Sequence, residues 1–447
     1  MTRRSWLIPT LAVVSVAAVL GVLSALSQAP PPRSQAPPSD GSDVIRAADP
    51  VPWAGVTWHT LSDPFLVGDP KPTRIDGLAG RNAVLVGWGR VAAPGRNQFN
   101  DMGAVFVSLD GQRWRSVALD DGVAPQDASE VGGVAVGPLG MLAFGGVCCT
   151  TQEQAVWRSV DALRWARVPI DGDIDPRVSA ITRVAGSATG WVAVGSHRNR
   201  AAIWTSSDGL VWHAVDPAAA RLGIGVVSDV AATGDGLVAV GTIDDPAGTH
   251  DGAVWVSADG TNWARVADAD PGLTGPDETE LSRVISFAGG LFIVGNHGSH
   301  EERVRCERLL GGVASLDVAP PPQTALSCGW GREHHWLSPD GSSWVRLPPL
   351  DPLPGQPQPP GRRPIEFRIL AAGGPGLVNL AEDTVPPEGD TRIWVSADGR
   401  AWLPVDPPFP VAGSTQAGIR VVGRHIVAIG ENAAVAQGVG ISIGTVP

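Results

Sequence analysis

Short apolar runs separated by turn residues recur along the chain from about residue 53 onward. Seven runs are rich in β-branched residues, and most of them end in glycine. They are Ala83–Gly87, Met141–Gly145, Trp191–Gly195, Leu237–Gly241, Leu291–Gly295, Leu377–Ala381 and Ile426–Gly430. Continuous apolar runs of this length are typical of strands that are buried on both faces. The pattern therefore predicts an all-β protein built from seven similar units.

A nine-residue pattern follows six of these runs. It consists of an aromatic residue, then Ser-x-Asp-Gly, then a tryptophan in the ninth position, and its second copy has alanine in place of glycine. The copies are Phe106–Trp114, Trp157–Trp165, Trp204–Trp212, Trp255–Trp263, Trp336–Trp344 and Trp394–Trp402. Self-similarity at a regular period is the signature of a repeat architecture.

The pattern predicts a β-hairpin whose turn carries the Asp-Gly pair. Glycine accepts the left-handed conformation that such turns require, and an aspartate can accept hydrogen bonds from the turn amides. We expect Trp204 to lie opposite Trp212, with Ser207–Gly209 as a three-residue loop and the two rings on one buried face. The turn aspartates are therefore interpreted as structural: Asp110, Asp161, Asp208, Asp259, Asp340 and Asp398.

The seventh unit lacks this hairpin, and a matching strand lies at the other end of the domain. Trp58, within Gly55–Leu61, resembles the second tryptophan of each hairpin. The N-terminal strand is thus expected to complete the last sheet, which would close the array and leave only short exposed edges. The predicted fold is a seven-bladed β-propeller with four-stranded antiparallel blades over residues 53–447.

The N-terminal region differs in composition from the rest. Arg3 and Arg4 precede an apolar stretch from Trp6 to Leu26, which is long enough to span a bilayer. Residues 1–28 are therefore interpreted as a signal anchor or a cleaved signal peptide. Residues 29–52 are rich in proline and serine and are interpreted as a disordered linker. The positively charged N-terminus, with Arg3 and Arg4, should stay on the cytoplasmic side of the membrane. We therefore expect an extracytoplasmic propeller that is either anchored to the cell membrane or secreted.

The charge of the chain limits the classes of partner that it can bind, and its cysteines indicate the compartment. The formal net charge is −12 with a single lysine, and no basic run is present, which argues against nucleic acid as a partner. We expect a monomer that contacts the membrane through its N-terminal segment only. Four cysteines fit an oxidising compartment, and a disulfide is expected between Cys306 and Cys328. Cys148 and Cys149 either form a vicinal disulfide or pair elsewhere.

The loops between the second and third strands vary in length and composition, in contrast to the uniform Asp-Gly turns. Variable loops on a rigid scaffold usually carry function, so this face is the predicted binding face. The catalytic residues are unknown. Candidate binding residues there are Asp120, Asp121, Asp171, Asp173, Asp175, Asp244, Asp245, Glu278, Glu280, His297, His300, Glu301 and His334.

The residues of this face offer two candidate metal sites, one for zinc and one for calcium. Zinc would use His297 and His300 with His334 or His335 and a carboxylate, but the spacing matches no closed zinc pattern. Calcium would use Asp171, Asp173 and Asp175, but the later glycine and distal glutamate of an EF-hand loop are missing. No metal or other cofactor is therefore predicted.

The repeated Ser-x-Asp-Gly-x-x-Trp resembles the Asp-box, or BNR, repeat of sialidase-like β-propellers over about residues 53–447. Here Asp and Gly are adjacent, whereas the usual pattern has one residue between them. The resemblance implies a propeller in which the box is a structural turn remote from any active site. Sialidases of that family use a tyrosine nucleophile with an arginine triad. This chain contains no tyrosine, so a non-sialidase member is expected.

Two function classes remain. The favoured one is a non-catalytic binding or scaffolding module that holds a protein or glycan outside the cytoplasm. The alternative is a carbohydrate-active enzyme, a glycoside hydrolase or lyase, that uses a carboxylate pair on the variable face.

Overall fold

The structure is a computed structural model. It describes residues 55–81, 84–92, 101–119, 128–148, 153–245, 248–266, 273, 277–310, 332–348, 367, 369–373, 376–383, 390–405, 417–422, 425–432 and 438–445. The predicted anchor and linker, Asp120, Asp121, Cys149 and Cys328 lie outside these ranges, as do the side chains of Cys148 and Cys306. No described helix is both long and apolar enough to cross a membrane.

Within the described ranges, the strands form seven sheets that follow one another along the chain as blades 1 to 7. The first strand, β1 (Thr57–Thr60), belongs to blade 7. From the inner to the outer edge, blade 1 comprises β2 (Pro72–Arg81), β3 (Val84–Val91), β4 (Met102–Ser108) and β5 (Arg115–Ala118). Blade 2 comprises β6 (Ala128–Gly137), β7 (Gly140–Cys148), β8 (Glu153–Ser159) and β9 (Ala166–Val168). The two-residue β10 (Asp171–Gly172) follows, and blade 3 then comprises β11 (Ser179–Gly186), β12 (Trp191–His197), β13 (Arg200–Ser206) and β14 (Val211–Ala214). β10 adds a parallel fifth strand outside β14.

The remaining blades repeat this order. Blade 4 comprises β15 (Gly225–Ala232), β16 (Leu237–Asp244), β17 (His250–Ser257) and β18 (Ala264–Arg265). Blade 5 comprises β19 (Glu278–Phe287), β20 (Gly290–Gly298), β21 (Arg332–Ser338) and β22 (Val345–Leu347). Blade 6 comprises β23 (Ile369–Gly373), β24 (Gly376–Asp383), β25 (Asp390–Ser396) and β26 (Leu403–Val405). Blade 7 comprises β27 (Ala417–Val422), β28 (His425–Asn432), β29 (Gly438–Thr445) and β1. One helix, α1 (His300–Leu310), follows β20 among the described residues.

The N-terminal strand closes the ring. β1 pairs antiparallel with β29, with Thr57 opposite Thr445 and Thr60 opposite Ser442. The inner strands of successive blades contact one another, and that of blade 7 contacts that of blade 1. These contacts confirm the predicted seven-bladed propeller and its closure by the N-terminal strand.

Aromatic side chains fill the seams between blades. In blades 1 to 6, both aromatic residues of the nine-residue pattern lie in one core cluster with apolar residues of the preceding blade. Trp204 and Trp212 of blade 3, for example, pack with Leu142 and Phe144 of blade 2. Trp58 packs against the cluster shared by blades 6 and 7. Each seam therefore receives its tryptophan, and the last one comes from β1.

The turn between the third and fourth strands differs from the predicted register. Trp204 pairs with Ala214 rather than Trp212, and the same offset of ten residues recurs in the other five copies. The turn is longer because its amides bond to side chains. Ser206 Oγ accepts the Gly209 N–H at 2.9 Å. Asp208 Oδ1 accepts the N–H groups of Leu210 and Val211 at 2.8 and 3.0 Å. The two rings still share a face, but they are diagonal neighbours.

The glycine of the turn is required by its backbone conformation. Gly111, Gly209, Gly260, Gly341 and Gly399 have φ between 73° and 82°. The second copy has Ala162 at this position, with φ 65° and its side chain fully buried. A left-handed conformation costs a residue with a Cβ roughly 1–2 kcal/mol. Blade 2 therefore carries a locally strained turn.

The hairpin topology gives the propeller two different faces. We call the face that holds the six Asp-Gly turns the turn face, and the opposite face, where β16 joins β17 and β20 leads into α1, the loop face. In the β1–β29 pair, Thr57 lies beside the end of β29, which corresponds to the end of β4 where the first Asp-Gly turn begins. The chain therefore enters the propeller at the turn face.

Substitution of the turn glycines separates backbone strain from crowding. A Cβ at Gly111 would meet nothing closer than 3.9 Å, whereas one at Gly399 would lie 2.9 Å from Leu337 Cδ2. We expect Gly111→Ala to lower the free energy of unfolding by about 1 kcal/mol. Gly399→Ala should lower it by about 2–3 kcal/mol, because the core must also shift. Urea unfolding of both variants checks this, and equal losses would contradict the steric contribution.

The turn aspartates make the propeller sensitive to acid. Backbone N–H bonds hold the pKa of Asp208 and Asp259 below its usual range. A depressed folded-state pKa gives stability that is present above the unfolded value, near 3.9, and is lost as the pH falls through the folded value. We expect Asp259→Asn to lower the free energy of unfolding at pH 7 and to weaken its decline below pH 4. Urea titrations at pH 7, 5 and 3 would measure both effects, and parallel acid loss in the variant would refute the assignment.

Candidate functional site

Polar side chains converge on the loop face at the seam between blades 4 and 5. Asp244 ends β16 and His250 begins β17 in blade 4, while Glu278 and Glu280 begin β19 in blade 5. α1 follows β20 directly and brings His300 and Arg303 to the same seam. The structure thus brings Asp244 to the same seam as Glu278 and Glu280, which are distant from it in sequence.

Glu278 forms the buried end of this seam. Its carboxylate is 2% exposed and accepts hydrogen bonds from Arg303 and His300. Arg303 Nη2 also donates to the carbonyl of Gly248, in the loop between β16 and β17, at 2.8 Å. Burial raises the pKa of Glu278, but the bonds from Arg303 and His300 outweigh it and lower the pKa below its usual value. The Glu278 carboxylate is therefore an ionised clamp that fastens α1 to both blades.

His250 forms the more open end. Its Nδ1 lies 2.8 Å from Glu280 Oε1, and its Nε2 lies 3.5 Å from Asp244 Oδ1. Burial lowers the pKa of His250, but the hydrogen bond and charge of Glu280 outweigh it, so the pKa is raised. Burial also raises the pKa of Asp244, against the nearby charges of His250 and Arg303. The His250 imidazole thus lies between two carboxyl groups. The Glu280 carboxylate stabilises the protonated imidazole, and the Asp244 carboxyl group retains its proton more readily than usual.

Asp245 shapes the loop beside these groups. Its Oδ1 accepts the Thr249 N–H at 2.9 Å, and its own N–H donates to the Thr249 carbonyl at 2.9 Å. These bonds hold the loop in which Gly248 meets Arg303. Glu301 is exposed in the first turn of α1.

His297 and His334 lie together elsewhere in blade 5. Their ring centroids are 5.3 Å apart, His297 Nδ1 bonds Thr279 Oγ1 at 2.9 Å, and Arg346 Nη1 lies 2.8 Å from His297 Nε2. Burial lowers the pKa of His334 to about 4, with the charges of His297 and Arg346 adding to the effect. The Arg346 guanidinium lies against His297 Nε2, the nitrogen through which His297 would bind a zinc ion. Among the described residues, no group of three or more histidine, cysteine or acidic side chains could hold a metal ion.

The three aspartates considered for calcium lie at the outer edge of blade 3. The Asp171 N–H donates to the Leu210 carbonyl at 3.1 Å, next to the Asp-Gly turn, and Asp173 Oδ2 accepts the Ala214 N–H at 2.9 Å. Asp175 Oδ1 accepts the Arg177 N–H at 3.0 Å. Asp171 therefore lies at the turn-face end of β14 and not at the loop face, contrary to expectation. It belongs to the parallel strand β10, which begins beside the Asp-Gly turn and runs in the same direction as β14, so that Asp173 and Asp175 follow along the outer edge of the blade.

Charged residues of the inner strands form a second polar group that the repeat pattern did not reveal. Bulges in β11, β15 and β19 precede Arg183, Asp229 and Arg283. Asp229 Oδ1 lies 3.1 Å from Arg183 Nε, and its Oδ2 accepts the Val284 N–H at 3.0 Å. This buried carboxylate therefore ties the inner strands of blades 3, 4 and 5 together.

The sequence patterns did not predict His250 and Arg303 as members of the site. His250 is the first residue of a third strand, and that position alone was available as a signal. Arg303 follows His300 by one helical turn, so a helix over His300–Leu310 would have placed both on one side. The apolar patterns did not predict this helix.

No protein-family model matches the chain, and no curated protein matches its sequence. Several solved structures are similar in strand arrangement. An ulvan lyase of polysaccharide lyase family PL25 is 12% identical and covers 85% of this chain and 93% of its own, with a TM-score of 0.46. The β-propeller domain of the Trilobed protease from Pyrococcus furiosus is 8% identical, with coverages of 82% and 91% and a TM-score of 0.44. An α-L-arabinofuranosidase of Fusarium graminearum is 12% identical, with coverages of 84% and 95% and a TM-score of 0.39. At these identities and TM-scores, none of the similarities bears on the activity of this chain.

Removal of one partner of the Glu278 clamp should be costly. Arg303→Met leaves the buried Glu278 carboxylate without its guanidinium partner, and we expect a loss of about 3–5 kcal/mol in the free energy of unfolding. The double variant Glu278→Gln/Arg303→Met should recover part of this loss, because no buried charge remains. Arg305→Met on the exposed side of the same helix serves as the control, with a change within about 0.5 kcal/mol. Urea unfolding measures all three, and equal effects of the two arginine variants would exclude the clamp.

Proposed function

We propose that the protein is a carbohydrate-active enzyme, a glycoside hydrolase or lyase, that uses Asp244, His250 and Glu280 as its acid–base group. The observation that carries this proposal is the pair of carboxyl groups that face opposite nitrogens of the His250 imidazole, Glu280 at 2.8 Å from Nδ1 and Asp244 at 3.5 Å from Nε2. Their environments differ, since Asp244 has a raised pKa and Glu280 faces the imidazole whose pKa it raises. Two titratable groups held in contrasting environments are the arrangement from which acid and base roles arise.

Cleavage of a glycosidic bond requires a proton for the leaving oxygen and a base on the other partner. Asp244 is the proposed proton donor, because its raised pKa keeps the carboxyl group protonated to higher pH. Glu280 is the proposed base, and His250 positions it and can pass a proton between the two oxygens. All three side chains retain partial solvent access, with 31%, 23% and 20% exposure for Asp244, Glu280 and His250.

We also propose that the chain is a divergent Asp-box propeller and not a sialidase. The repeated turn, with its serine and aspartate capping, supports the first part. The absence of tyrosine from the sequence supports the second, because the tyrosine nucleophile is missing. The N-terminal segment supports a location outside the cytoplasm, at the membrane or secreted.

A second candidate is a non-catalytic module that binds a protein or glycan. It is favoured by the Glu278–Arg303–His300 clamp, in which the charges satisfy one another and hold the loop face rigid. Such a surface suits recognition by shape and hydrogen bonding. The anchor and linker predicted at the N-terminus suit a tethered binding module equally well.

Turnover on a panel of neutral and uronic-acid glycans distinguishes the two candidates. We expect Asp244→Asn to reduce kcat/KM by about 10²–10⁴ and to remove the alkaline limb of the pH profile, because the proton donor is lost. Glu280→Gln should reduce kcat/KM comparably. Asp235→Asn, in the exposed turn between β15 and β16 on the turn face, is the matched control and should behave as wild type.

Two outcomes would count against the enzyme. Unchanged turnover in Asp244→Asn and Glu280→Gln would remove these residues from the reaction. Stable capture of a glycan from the same panel with no product would favour the binding module instead.

A further inference from the structure

Exposed apolar side chains gather on the turn face of blades 1 and 2. Leu109 and Val160 occupy the variable position of Ser-x-Asp-Gly and are 55% and 73% exposed. Leu163 lies in the same turn as Val160 and is also exposed, as is Leu139 in the neighbouring turn between β6 and β7. We call these four residues the apolar turn patch. The variable position in blades 3 to 6 holds small residues or proline: Ser207, Ala258, Pro339 and Ala397.

The two turns of blade 2 form a continuous surface. A Cβ on Gly140 would lie 2.4 Å from the Ser159 carbonyl oxygen and 3.2 Å from Val160 Cα, so the turn that carries Leu139 packs directly against the Asp-Gly turn. Arg113 and Arg164 are exposed in the same two Asp-Gly turns of blades 1 and 2. The neighbouring Asp110 and Asp161 carboxylates accept backbone N–H groups. The patch thus combines aliphatic tips with basic side chains.

The chain also enters the propeller on this face. Thr57 lies at the turn-face end of blade 7, which is adjacent to blade 1. The preceding sequence carries the apolar stretch from Trp6 to Leu26, followed by a spacer. If the stretch spans a bilayer, residues 29–54 can reach at most about 90 Å, and the face where they attach is the one most readily drawn to the lipid.

We propose that the apolar turn patch docks on a phospholipid bilayer and orients the tethered propeller with its turn face toward the membrane. Aliphatic side chains on convex turns, flanked by arginines, suit the headgroup boundary, where apolar tips are buried and basic side chains stay at the interface. The formal net charge of −12 opposes attraction to anionic lipid, so apolar contact and the tether hold the patch. The loop face then points away from the membrane.

The test uses the full chain in phosphatidylcholine vesicles that contain a diazirine phospholipid. Peptides that carry Leu109 and Val160–Leu163 should be crosslinked, as identified by mass spectrometry. Leu109→Ser/Val160→Ser/Leu163→Ser should reduce this labelling about fivefold or more, because three apolar side chains lose their burial in lipid. Val178→Ser/Ile224→Ser removes exposed apolar residues on the loop-face side and should leave it unchanged.

Several results would overturn the proposal. Failure of the full chain to sediment with the vesicles, equal labelling of both faces, or wild-type labelling in the triple variant would each do so. A concentration-dependent dimer that the triple variant abolishes would identify a second copy of this chain as the occupant instead. Thermal unfolding of the triple variant should match that of wild type, since all three side chains are exposed. Because the readout is lipid labelling, it is independent of any glycan turnover.

Discussion

The packing of paired aromatic rings into the seams between blades is the interaction on which the rest of this structure depends. A single four-stranded blade has two faces and cannot bury both alone. In blades 1 to 6 the hairpin supplies two rings to the preceding blade, and Trp114, Trp157, Trp204, Trp212, Trp255 and Trp336 are at most 1% exposed. The same requirement explains the closure by β1. Without Trp58, the seam between blades 6 and 7 would lack the ring that every other seam receives.

This packing constrains the two faces unequally. The second tryptophan enters its seam just after the turn, and its indole N–H donates to the carbonyl of the turn glycine in blades 1, 4 and 6. The turn conformation is therefore coupled to the core, and its serine, aspartate and glycine cannot vary independently. The loop face carries no such repeated pattern in the sequence, and the clamp, His250, His297 and α1 lie there.

The repeat pattern predicted the architecture because each blade contains the same kind of apolar strand, and six of the seven contain the same hairpin sequence. Seven apolar runs, six hairpins and the lone Trp58 sufficed to count the blades and to close the ring. The hairpin register was wrong by two residues, because a pattern of Trp204 and Trp212 does not reveal that the Ser206 and Asp208 side chains replace ladder partners for the turn amides. The candidate site was only partly predictable. Asp244 and Glu280 are far apart in sequence, and only the ring geometry brings them to one imidazole. Asp171 looked like a member of the same face because its spacing from Asp173 says nothing about the strand β10.

The location of the polar seam follows from the same packing. Where blades 4 and 5 meet, Trp336 and Trp344 fill the core with Val238, Val240 and Val254, while Asp244, His250, Glu278 and Glu280 lie at the loop-face ends of the strands. Ion pairs at a seam recover the cost of dehydration only when their geometry is fixed in advance. The aromatic core supplies that rigidity, because neither blade can shift without opening it. Glu278 and Arg303 then add a second fastening that also anchors α1. The proposed proton donor and base, if held this firmly, would not need to reorganise when a ligand arrives, which is the condition under which electrostatic stabilisation of a reaction is most effective.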